Sequence, residues 1–128
     1  MNKIISFVML GSKDFKQSSK FYDSIFVPLE IKKIVTTERY VGYGHLNEPD
    51  DVKFYLTKPR NGEPATYGNG TMIAFLAKTK EAVDRFHKIA LENGAVNEGL
   101  PGVREDGNYY AYVRDLDGNK ITAKCIIN

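Results

Sequence analysis

Tyr109-Tyr110-Ala111-Tyr112-Val113-Arg114-Asp115-Leu116-Asp117-Gly118-Asn119-Lys120-Ile121 reads as a strand, a tight turn and the start of a second strand. Aromatic and β-branched residues before the turn favour extended backbone. Asp117-Gly118 is a hairpin signal, because glycine takes positive φ without steric cost. The last strand then runs from Lys120 to Ile126, and a short extended segment is expected near Val96.

Working back from this hairpin, Asn93-Gly94 closes a helix for which Thr79 is the candidate N-cap, and residues 71–77 form a strand before it. A Gly/Pro-rich link, Pro59 to Gly70, separates this half from the first. There, strands are expected over Ile4–Leu10, Ile31–Thr36, Tyr40–Leu46 and Val52–Leu56. Asp14 and Gln17 have capping-box spacing, and Phe15, Ser18, Ser19, Tyr22 and Phe26 share a helical stripe that Pro28 ends. Each half therefore reads βαβββ. Phe7 and Met72, Asp14 and Thr79, and Phe21 and Phe86 are each separated by 65 positions, so strand, cap and core aromatic recur at one offset. The expected architecture is α+β: one domain over residues 1–128, with modules over about 1–58 and about 70–128.

Composition bounds the function. A chain of 128 residues buries enough apolar surface to fold without a disulfide or metal staple. It is 42% hydrophobic and 27% charged, with a formal charge of +2, and has no basic block for phosphate neutralisation, so nucleic acid is not an expected partner. Nor is a membrane, since no apolar run reaches the length of a span. The single cysteine, Cys125, and an N-terminus without a signal-like apolar run lead to the expectation of a cytoplasmic protein.

The run 109–121, together with Gly70-Thr71-Met72-Ile73-Ala74-Phe75, the helix containing Glu81 to His87, and Phe21-Tyr22-Asp23, resembles the glyoxalase/bleomycin-resistance/extradiol dioxygenase (vicinal oxygen chelate) superfamily. The resemblance implies paired βαβββ modules whose curved sheets enclose a cleft, often completed by a second subunit, and hence a homodimer. In metal-dependent members a His on the first strand, a His on the fifth and a Glu on the last line that cleft. Those positions map onto Phe7, Met72 and Thr122, while Val52 to Leu56 supplies neither carboxylate nor imidazole for a fourth ligand. Phe7 has no lone pair, Met72 is a soft thioether and Thr122 is a weak neutral donor, so no metal and no other cofactor is expected.

Strand alternation places Ile5, Phe7 and Met9 on one face and Met72 and Ala74 on the equivalent face of the second module, where they should meet in the cleft. Tyr43, Tyr55, Tyr110 and Tyr112 are candidates to join them, with Arg104 in a loop near the mouth. The expected ligand-binding set is thus Phe7, Met9, Tyr43, Tyr55, Met72, Arg104, Tyr110, Tyr112 and Thr122. Two readings stand for Phe7 and Met72, which either line a cavity or plug it, and for Arg104, which either holds an anion or is a solvated charge. His87 is read as solvated or structurally satisfied, His45 as lying near the cleft mouth or facing water, and Cys125 as a buried hydrophobe opposite Thr122. Asp115 and Asp117 are assigned to hairpin structure rather than acid/base work. The function expected first is capture of a small amphipathic or aromatic molecule. The alternatives are a lyase or isomerase related to lactoylglutathione lyase with an atypical site, and a partner-binding module with a closed cleft.

Overall fold

A computed structural model describes residues 4–127. Asp14 caps α1 (Phe15–Ile25), its carboxylate accepting from the Gln17 N–H at 3.2 Å and so supplying one acceptor that the first helical turn lacks. Pro28 ends the pattern inside a 3-10 turn, Val27–Leu29. Thr79 repeats the device for α2 (Lys80–Glu92), accepting from the Ala82 N–H at 3.0 Å, and Gly94 past its end takes φ 99°.

The first sheet has the order β1 (Val8–Gly11), β4 (Phe54–Thr57), β3 (Tyr40–His45), β2 (Ile31–Thr36). The second has the equivalent order β5 (Met72–Ala77), β8 (Lys120–Cys125), β7 (Tyr109–Arg114), β6 (Val96–Val103). In both, the first strand runs parallel to the last and the other pairs are antiparallel. Strand bounds shift by one or two residues at β3, β4 and β8, and two expectations change further. The first strand begins at Val8 rather than Ile4, because its ladder with β4 starts at Val8 opposite Phe54 and residues 4–7 have no partner strand. The segment near Val96 is a full eight-residue strand whose register slips between Asn97 and Gly99 and again between Gly99 and Gly102. Pro101, with no N–H to donate, falls in the second irregularity.

Both helices cover the same side of their sheets, and the two covered faces merge into a single core. Phe21, Tyr22, Ile25 and Phe26 of α1 and Val83, Phe86 and Ala90 of α2 belong to one buried cluster with Val41, Phe54, Leu56, Val113 and Ile121. Phe75 joins the modules, its ring 5.0 Å from Phe26 and 5.3 Å from Phe54. Each such side chain stabilises the fold by roughly 1.5–3 kcal/mol relative to exposure. The opposite faces of both sheets are left open.

The hairpin turn also ties the modules together. Asp115 Oδ1 accepts from the N–H groups of Asp117 and Asn119, both at 2.9 Å, while Oδ2 accepts from the Tyr22 hydroxyl and Asn119 Nδ2. Asp117 accepts from the Lys13 N–H at 2.7 Å and from the Ser18 hydroxyl at 2.9 Å, at the start of α1. These carboxylates are structural, and they fix one module against the other.

Candidate functional site

Register assembles the open face of the second sheet in three rows. Met72, Lys120 and Arg114 form one, Ala74, Thr122, Tyr112 and Gly99 the next, and Leu76, Lys124, Tyr110 and Gly102 the third. Ile121, Ala123 and Cys125 alternate into the core. Tyr110 and Tyr112, two residues apart on β7, stack at 5.7 Å with their planes 5° apart. Cations lie over them: Arg104 and Lys120 are 5.2 and 5.3 Å from the Tyr112 ring centre, and Lys124 is 5.5 Å from that of Tyr110. The Tyr110 hydroxyl donates to Asp106, which holds the Asp106 carboxyl below the usual carboxylate range.

The open face of the first sheet is smaller. Met9 and Tyr55 are register partners on β1 and β4, and Phe7 packs edge-on against Tyr55 with ring centres 5.0 Å apart. Opposite Tyr55, Gly42 leaves room that Val35, Val52 and Tyr55 fill; a Cβ there would come within 2.7 Å of Val35. Phe7, Met9 and Met72 remain 50%, 48% and 44% exposed, so none of them plugs a closed interior.

Two of the expected site residues sit deeper than expected. Tyr43 lies on the covered face of β3, buried among the core aromatics, with its hydroxyl donating to Ser19 O and Asp23 Oδ1. Odd-numbered residues of β3 face α1, a parity that β-rich composition alone leaves open. Burial pushes its hydroxyl pKa far up. Thr122 does sit in the central row of the open face, but it is fully buried and its hydroxyl proton is given to the Ala111 carbonyl, so it presents no free donor to the surface. The expected meeting of the two faces is also only partial within one chain. Ile5, Phe7 and the buried Tyr43 share a groove of about 350 Å³ with Ile73, Ala74 and Leu76, floored by Leu29, Phe54 and Phe75. Of the expected set, Met9, Tyr55, Met72, Arg104, Tyr110, Tyr112 and Thr122 do not line it. The candidate residues thus fall into two separate groups, one on each sheet.

The sequence profile of the glyoxalase/bleomycin resistance protein/dioxygenase superfamily matches residues 4–122. The chain belongs to this superfamily. A crystal structure of a glyoxalase/bleomycin resistance protein from Albidiferax ferrireducens T118 is 39% identical over 97% of this chain and 99% of that one, with a TM-score of 0.88. A lactoylglutathione lyase from Agrobacterium tumefaciens (19% identity, 97% and 94% coverage, TM-score 0.66) and a glyoxalase/bleomycin resistance protein/dioxygenase family enzyme from Burkholderia phytofirmans PsJN (19%, 95% and 98%, TM-score 0.72) share the fold. No curated protein matches the sequence.

Within this glyoxalase-superfamily frame, the positions that the resemblance assigns to metal ligands carry a phenyl ring, a thioether and a hydroxyl already bonded to a carbonyl. Among the described residues, no three His, Cys, Asp or Glu side chains cluster as a metal site would require. His87 is buried and bonded to Asn97 Oδ1 at 2.9 Å, a satisfied structural histidine. The His45 ring accepts from the Asn47 N–H at 3.1 Å while bordering the groove. Cys125 is buried in the core, opposite Thr122, as expected. Lys120 and Lys124 were missed by sequence reasoning. The signal was the alternation Lys120-x-Thr122-x-Lys124, which puts both cations on the face assigned to Thr122. No helix among the described residues is long and apolar enough to cross a membrane.

Proposed function

We propose that this glyoxalase-superfamily chain binds a small amphipathic or aromatic molecule without a divalent metal, in a cleft made when the first-sheet face of one copy meets the second-sheet face of another. The observation that carries this reading is the pair of open aromatic faces. Phe7, Met9, Met72 and Leu76 stay substantially exposed beside Tyr55, Tyr110 and Tyr112, and apolar surface grouped in this way marks a binding or assembly face. A homodimer covers both faces and completes two equivalent clefts.

The donor set supports the absence of a metal. Zinc, nickel and manganese are held in oxygen and nitrogen sites by imidazole and carboxylate, and a phenyl ring, a thioether and an engaged hydroxyl offer none of that chemistry. Adding any of these ions to metal-free protein should leave the melting temperature unchanged, because only an ion that binds the folded state stabilises it. A saturable rise in melting temperature with one of them would contradict this reading. The lyase alternative requires such an ion or a side-chain acid/base pair on the open faces.

A further inference from the structure

We infer that the molecule taken by this face is an anion with a flat apolar body, its charge held by the Arg104 guanidinium and the Lys120 ammonium that border Tyr112. The inference rests on the ligand-binding reading above and adds its charge.

The open face is not neutral. Of its four cations, Arg114 is paired with Glu98 at 2.8 Å and Lys124 lies 3.8 Å from Asp106. Among the described residues, Arg104 and Lys120 have no carboxylate partner. Both nevertheless converge on one ring, 5.2 and 5.3 Å from the centre of Tyr112. A cation gains only about 0.5–1 kcal/mol from an exposed aromatic face, which leaves both charges without a counter-charge. An anion seated on this face supplies that counter-charge.

The placement of Arg104 is built into β6. Its Nη2 donates to the Leu100 carbonyl, folding the side chain back across its own strand. Gly99 and Gly102 make room for this. A Cβ at Gly102 would stand 2.9 Å from Arg104 Nη1, and one at Gly99 would stand 3.2 Å from Nη2 and 2.7 Å from the Tyr112 ring. With one N–H engaged by Leu100, the remaining guanidinium donors can hold a carboxylate or phosphate in a fork. Beside this charged end, the Tyr110–Tyr112 stack and the alternate residues Met72, Ala74 and Leu76 of β5 offer a flat apolar floor.

Benzoate, phenyl phosphate, benzamide and benzylamine, titrated into the full-length protein and followed by backbone amide correlation spectra, test this. Benzoate or phenyl phosphate should shift the amides of β7 and β8 at least about tenfold more tightly than the neutral or cationic probe, and high salt should weaken them. Whichever of the two binds better identifies the anion as carboxylate or phosphate. Lys120→Gln and Arg104→Gln should each weaken anion binding about tenfold at an unchanged melting temperature. Gly102→Val, which displaces Arg104 without touching its charge, should reproduce Arg104→Gln. Equal binding of benzamide and benzoate at β7 and β8 overturns the charge inference and leaves the ligand-binding reading standing. Anion binding that survives both Gln substitutions also overturns it. No probe shifting the open face overturns both.

Discussion

Asp115→Ala should destabilise the fold by about 3–5 kcal/mol, because it removes one acceptor group from several donors at once. The Tyr22 hydroxyl, fully buried, would lose the carboxylate it donates to, and the turn N–H groups of Asp117 and Asn119 would lose theirs. Urea denaturation followed by circular dichroism measures the loss, and a change under about 1 kcal/mol would show that the turn does not hold the modules together. Asp115→Asn keeps an acceptor for the turn and should cost less. Burial raises the Asp115 carboxyl above its ordinary range, outweighing the hydrogen bonds that lower it. The sign follows from that direction: the folded state holds this proton more tightly than the unfolded chain. Its contribution therefore favours folding below the unfolded value near 3.9 and is lost as pH rises through the folded value. In Asp115→Asn that part of the acid-range slope should vanish.

A carboxylate placed on either open face should break the dimer. Met9→Glu and Leu76→Glu put an unpaired charge where the proposed interface excludes water, at a cost of about 2–5 kcal/mol in association. Both positions are exposed in the single chain, at 48% and 64%, so each variant should keep its fold. Sedimentation velocity at micromolar concentrations should give a dimer for the parent and a monomer for both variants. A parent that sediments as a monomer, or variants that remain dimeric, would remove the composite cleft from the account.

The fold was legible because each local signal agreed with the next. Asp14 and Thr79 each cap a helix, Phe21 and Phe86 are both buried at the shared offset, and Gly118 takes φ 88° in the turn that Asp117-Gly118 announces. The site was legible only in part. Alternation along β5 and β8 placed Met72, Ala74 and Thr122 on one face, but it could not reveal that the Thr122 hydroxyl bonds to Ala111, eleven residues away. The facing of Tyr43 depends on the register of β3, where a one-residue slip moves every side chain to the other face. The clamp from Asp117 to Lys13 and Ser18 spans 104 and 99 residues, and no local pattern encodes a contact at that separation. The Arg104 cradle depends on the irregular register of β6, which came from a segment expected to be short.

The central claim is that the open aromatic faces bind an amphipathic molecule without metal. Fluorescence titration with anilinonaphthalene sulfonate, in the presence of a strong chelator, tests it most directly. The account predicts saturable binding by the intact protein, unchanged by the chelator and lost in Tyr112→Ala, a variant that should still unfold in a single cooperative transition. Binding that is absent with chelator and restored by nickel or zinc, or binding that Tyr112→Ala leaves intact, would contradict it.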